Sequence, residues 1–222
     1  MTSTIATETE TPLSRARQAI ARRYFGPGAS DRGAVLVELA LVTPLLFTLL
    51  LGIFEFGQAW RERAALHSGV RSAMRIATNS GADRQADKFA LQSFMAIMSQ
   101  SKALTIQTVV IYKANNADGS PLDSSCFTST TPSAAYSCNV YTNAQLTNSL
   151  MAFNFTGTVD CSPISTAWDY RWCPLSRIST QGDEPDYIGI YVVASYKSST
   201  GLLPSSVTFT DQAVARIDPK VT

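Results

Sequence analysis

Ala34 to Phe54 reads AVLVELALVTPLLFTLLLGIF, 21 residues with one charge, Glu38. As a helix rising about 1.5 Å per residue it is about 31 Å long, close to the roughly 30 Å hydrocarbon core of a bilayer. A buried helix of a water-soluble domain carries a polar stripe, and this segment has almost none. Pro44 falls inside it. Neighbouring helices in a membrane can accommodate such a proline, so a bend is expected there and not an end.

The flanks of this segment differ. Residues 1–33 carry five Arg and three acids, whereas Lys102 to Thr222 carry seven Lys or Arg against nine acids. The net charge of +1 argues against a nucleic-acid partner, which needs a basic excess. Met1 to Thr11 has little to bury, Leu13–Tyr24 suits a short basic helix, and Phe25-Gly26-Pro27-Gly28 is a helix breaker. Downstream, Phe56, Trp60, Ala64, Val70, Met74 and Ala77 fall near one line at a 3.6-residue repeat, with Arg61, Ser68, Arg71 and Arg75 along another. This predicts a solvated stalk helix packing through its aromatic line and breaking at Asn79-Ser80-Gly81. A second helix is expected over Asp83–Gln100.

After Ser101 the texture becomes strand-like: Leu104–Lys113, Asp186–Lys197 and Ser206–Ile217 are rich in β-branched and aromatic residues. A weaker strand is expected at Met151–Val159, inside a long Ser/Thr/Asn-rich irregular region, Asn115 to Glu184. That region holds all four cysteines, Cys126, Cys138, Cys161 and Cys173. An even set confined to the part beyond the apolar segment reads as disulfides in an oxidising compartment. Four cysteines allow three connectivities. Eleven residues separate the members of each neighbouring pair, and this favours Cys126 with Cys138 and Cys161 with Cys173. Each such loop stabilises by roughly 3 kcal/mol in the chain-entropy model. A zinc site is disfavoured, since no C-x-x-C occurs and the single histidine, His67, lies far upstream.

Arg32-Gly33-Ala34-Val35-Leu36-Val37-Glu38 carries the most information. A glycine follows a basic residue, an apolar run begins at once, and a Glu stands at its fifth place. This resembles the cleavage site of type IV pilin-like proteins. The longer pattern resembles the TadE-like minor pilin (pseudopilin) family of tight-adherence (Flp-type) secretion systems. It comprises Gly33, Val37-Glu38-Leu39-Ala40, Pro44, Leu45 to Leu51, Gly52, Glu55, Phe56-Gly57 and the helix from Arg71 to Arg75. Leu39 departs from the family, where an aromatic is commoner, and so does Gly69-Val70-Arg71-Ser72-Ala73-Met74-Arg75, a degraded Ala-Ala-Arg helix. The resemblance implies a helix-anchored protein without catalytic activity or cofactor, cut by a prepilin peptidase between Gly33 and Ala34. It also implies assembly with other pilin and pseudopilin subunits through the N-terminal helix, and an inner-membrane assembly platform as partner.

An acid within a span costs about 2–3 kcal/mol by insertion measures, less near the interface, so Glu38 calls for a partner. The resemblance supplies one: the new α-amine at Ala34 of an adjacent subunit. The peptidase works from the cytoplasm, which places the N-terminus inside and the C-terminal domain outside. The arginines do not decide this orientation. Arg15, Arg17, Arg22, Arg23 and Arg32 upstream are nearly balanced by Arg61, Arg63, Arg71 and Arg75 downstream. The cysteines favour it. Phe56 and Trp60 suit an interfacial aromatic belt, and Trp168 and Trp172 suit packing beside Cys173. Asp183, Glu184 and Asp186 read as a solvated turn before they read as a calcium site. With one histidine and no phosphate loop or H-E-x-x-H, an enzyme is not expected.

The expected fold is α+β: a basic leader over 1–33, a transmembrane helix over 34–54, an amphipathic helical stalk over 55–100 and an extracytoplasmic domain over 101–222. That domain should carry a mainly antiparallel sheet packed on helices. The alternative is a secreted or tethered binding domain. It would use Arg22-Arg23-Tyr24-Phe25 as a twin-arginine signal and Gly57-Gln58-Ala59 as a signal-peptidase site.

Overall fold

A computed structural model describes residues 27–128, 137–147, 168–180, 184–201, 204 and 206–219, with side chains from Gly33 onward. The expected helix at Leu13–Tyr24, the expected strand at Met151–Val159, the Arg22-Arg23 pair, Cys161 and Asp183 lie outside these residues. The chain divides into a unit ending at Ile53 and a second beginning at Phe54.

Helix α1 runs unbroken from Pro27 to Ser80. It thus begins ahead of the apolar segment: Pro27 opens the helix where a breaker was expected, because proline lacks only an N–H that a first turn leaves free anyway. The helix stops where the sequence predicts. Gly81 has φ +53°, a left-handed conformation that suits glycine, and its N–H closes on the Ala77 carbonyl at 3.0 Å. Helix α2 is shorter than expected, Ala86–Met98. The Asp83 carboxylate accepts the Gln85 N–H at 2.8 Å and holds the preceding turn out of the helix.

Among the described residues four strands follow: β1 (Leu104–Ala114), β2 (Cys138–Thr142), β3 (Tyr187–Tyr196) and β4 (Val207–Arg216). They form an antiparallel sheet in the order β2-β1-β3-β4. The fold is α+β, as the sequence predicts. One face is covered by helices: Ile106, Val109 and Ile111 of β1 and Ile188, Ile190, Val192 and Ala194 of β3 pack with Leu66, Val70, Ala73 and Ala77 of α1 and with Leu91 and Phe94 of α2. Ile106 and Val109 could not share a face in a regular strand, where side chains alternate. A register shift between Ile106 and Thr108 resolves this, since one extra residue restores the parity.

The opposite face carries Val110, Tyr112 and Ala114, covered by Cys126, Cys138 and Phe127. A disulfide joins Cys126 to Cys138, linking a short 3-10 turn (Ser124–Phe127) to β2. Cys173 is disulfide-bonded as well. The stretch from Asn115 to Glu184 is therefore less irregular than its composition suggests. It contains that turn, β2 and a short helix α3 (Asn143–Thr147).

A buried polar cluster fastens this region to the helical face. Arg177 meets Asp87 of α2 at 2.6 Å with both side chains fully buried, and the guanidinium lies 4.2 Å from the Trp172 ring centroid. Asn139 and Tyr141 of β2 donate to Asp87 at 2.8 and 2.7 Å. Asn139 also exchanges hydrogen bonds with the Trp172 backbone. A buried charge survives only when paired and hydrogen-bonded in this way.

Tyr112 pairs with Gly189 across β1 and β3, and its ring lies over the glycine. A Cβ at Gly189 would sit 2.1 Å from Tyr112 Cζ. Gly189→Ala is expected to lower stability by about 1–3 kcal/mol through overpacking, measured by thermal or denaturant unfolding of the detergent-solubilised protein. Wild-type stability would show that the ring moves aside freely.

Candidate assembly helix and its acidic clasp

The first part of α1 exposes nearly every apolar side chain from Val35 to Phe54, Leu41 to 73%. A soluble domain hides such a surface, so this helix is long and apolar enough to cross a membrane. Glu38 is exposed on it. Gly33 lies within the helix, and a side chain there would meet nothing within 4 Å. Backbone hydrogen bonding around Pro44 is altered because proline has no N–H to give. The Thr48 hydroxyl donates to the Pro44 carbonyl at 2.8 Å, and the helix continues through. Gly33, Ala34, Glu38 and Pro44 thus share one helix, whereas Cys126, Cys138 and Cys173 belong to the second unit.

The buried face of the stalk differs from the expected one. Phe56 and Trp60 are exposed to 67% and 66%, stacked on each other with centroids 6.5 Å apart, and Ala64 is exposed too. Val70, Met74 and Ala77 are buried as expected, but the stripe that leads to them passes through Glu55 and Leu66. Arg61, Arg71 and Arg75 are on the solvent side.

Glu55 is the residue whose role the sequence did not reveal. Its carboxylate is 1% exposed. The Tyr196 hydroxyl and the Ser199 N–H each donate to Oε1 at 3.0 Å, and the Thr200 N–H donates to Oε2 at 3.0 Å. Burial pushes this carboxyl up. The Ser199 backbone N–H and hydrogen bonds from Thr200, Ser198 and Tyr196 outweigh it and hold the pKa at about 2. The Tyr196 phenol is pushed up to about 12 by burial, by its bond to Glu55 and by the negative charges of Glu55 and Glu62. About two turns further along, Glu62 accepts from the Ser101 hydroxyl, and Ser101 in turn receives the Leu104 N–H at 3.3 Å where β1 starts. Two acids of α1 thereby hold the loop joining β3 to β4 and the entrance to β1.

These features define a class: an α+β domain carried on a helix whose leading half is suited to lipid. Residues 33–75 match the family model described as TadE-like protein, so the likeness lies on the apolar helix and the stalk. No curated protein and no solved structure matches the chain. The matched segment contains Gly33, Glu38, Pro44, Glu55 and the stalk as far as Arg75.

The Glu55 carboxyl titrates near 2 in the folded chain against an ordinary 4.5. Its contribution to stability is therefore fully present above pH about 4.5 and is lost as the pH falls toward 2. Glu55→Gln should be less stable at pH 7, and its unfolding midpoint should fall less steeply than wild type's as the pH is lowered from 5 to 2. Parallel midpoint-against-pH curves for the two proteins would remove Glu55 from this role.

Proposed function

We propose that this chain is a minor pilin or pseudopilin that takes part in assembling a tight-adherence pilus and performs no catalysis. The observation that carries the reading is the TadE-like match lying on a helix whose leading half is exposed and apolar. In this reading a prepilin peptidase acting from the cytoplasmic side cuts between Gly33 and Ala34. The mature N-terminus then stays in the inner membrane, and the disulfide-bonded domain stands outside the cytoplasm. Pilin and pseudopilin subunits and the inner-membrane platform meet it through α1.

The cut creates an α-amine at the head of an apolar helix, one turn from Glu38. Ammonium and carboxylate are each costly in lipid, and each relieves the other when paired. Pairing within one helix would satisfy both charges without fixing a neighbour. Pairing between adjacent subunits satisfies them and sets the axial register, and that is the role assigned to Glu38.

Cleavage by a signal peptidase after Ala59 fits this molecule poorly. α1 is continuous there, and such a cut would remove Glu55, which holds Ser199 and Thr200.

Membrane fractions from a host with the complete pilus system should contain a mature chain beginning at Ala34, read by N-terminal sequencing or intact mass. A start between Gln58 and Arg61 would support secretion of a free domain instead. Glu38→Ala and Glu38→Gln should both insert and be processed, yet fail to co-purify with pilin partners. Wild-type piliation by both variants would reduce Glu38 to a tolerated interfacial residue.

A further inference from the structure

β4 stands at the edge of the sheet. Among the described residues it pairs only with β3, along all ten of its positions. Its other side offers a row of backbone N–H and C=O groups. Native edges are blunted by proline, lysine, bulges or shortness. β4 reads VTFTDQAVAR, with its single basic residue, Arg216, at the very end. The opposite edge is β2, with five residues tied down by the disulfide. Among the described residues the long edge is thus the open one.

Beside that edge runs a groove of about 410 Å³ between α1 and β4, with His67, Arg71 and Arg75 on its helical wall and Gln212 to Val214 on its strand wall. The three cationic or basic side chains follow one another at intervals of four residues. His67 already has a partner, Asp211, at 2.9 Å. Among the described residues neither Arg71 nor Arg75 is in an ion pair. The helix packs on the face of β4 that carries Phe209, Ala213 and Ala215. A strand added to β4 would therefore send every second side chain toward the arginines. Along a helix, residues four apart are about 6 Å apart; same-face residues of a strand are about 6.8 Å apart.

We propose that this edge and groove form a docking site for an extended segment of a partner protein that bears acidic side chains at alternate positions. The segment pairs with β4 through backbone hydrogen bonds and presents its carboxylates to Arg71 and Arg75. A second copy of this chain is the poorer occupant, because pairing of two β4 edges would set one Arg71–Arg75 row against the other. Lipid headgroups are poorer as well: Arg71 lies roughly 25 Å of helix beyond Phe54 at about 1.5 Å per residue. The proposal concerns the surface of the domain and does not rest on the pilus reading.

The test uses the full-length protein in detergent micelles and labelled ten-residue peptides followed by fluorescence anisotropy. One peptide alternates Glu with Thr and Val, a second has Lys in place of Glu, and a third is the Glu peptide with alternate backbone amides N-methylated. The Glu peptide should bind, with the Lys and N-methylated peptides weaker by at least about tenfold. The exposed double variant Arg71→Glu/Arg75→Glu, checked by circular dichroism for unchanged folding, should reverse the preference and take the Lys peptide. Equal binding of the N-methylated peptide would show simple polyanion attraction and overturn the proposal. So would an unreversed preference, failure of the Glu peptide to bind, or displacement of the peptide by self-association of the protein.

Discussion

The carboxylate of Glu55 is where the helix and the sheet are fixed to each other. A carboxylate this well buried is tolerable only because a phenol and two backbone N–H groups converge on it. Tyr196 ends β3, and Ser199 and Thr200 begin the loop that leads to β4. The contact therefore sets where the β3–β4 hairpin sits along α1, and the hydrophobic contacts from Leu66 to Ala77 pack within that register. Apolar surfaces can slide with little change in buried area; a carboxylate with three specific donors cannot.

A second polar constraint works at the β2 edge of the sheet. The long connection between β2 and β3 carries Trp172 and Arg177 into the core. Asp87 holds them there through Arg177 on one carboxylate oxygen, with Asn139 and Tyr141 donating to the other. Burial and the nearby charge of Asp87 raise the Tyr141 phenol well above its ordinary range, so Tyr141 stays a neutral donor at any physiological pH. The disulfide at Cys126 and Cys138 then closes the face opposite α1 and α2.

Much of this was readable before any coordinates. The 21-residue apolar run, the break near Gly81 and three of the four strands announce themselves by composition or periodicity. β2 does not. Cys138-Asn139-Val140-Tyr141-Thr142 is only five residues long and sits in a Ser/Thr/Asn-rich stretch, and its conformation comes from pairing with β1 and from the Asp87 cluster, both remote in sequence. The stalk misled for a related reason. Phe56 and Trp60 fall on the same line as Val70 and Met74, while the residue that packs at their level is the acid beside them, whose donors lie more than 140 positions away. Sequence could place Glu55 in a family pattern but had no means of supplying its partners. Gly33, Glu38 and Pro44 stand out in the sequence because the pattern they form is local to one helix.

The order of strands also bears on how the chain is made. β3 lies at the centre of the sheet between β1 and β4, but β3 and β4 come from the last forty or so residues. A chain emerging N-terminus first presents α1, α2, β1 and β2 long before the strand that joins them to the rest of the sheet. Through that interval only β1 and β2 of the sheet are available to the Leu66–Ala77 face of α1, and Glu55 has none of its donors. Synthesis of this protein therefore includes a stage at which an apolar helix is already available to a membrane while its domain is still open. Completion waits on the C-terminal hairpin, and truncation even of a single late strand would leave an anchored but unfinished chain.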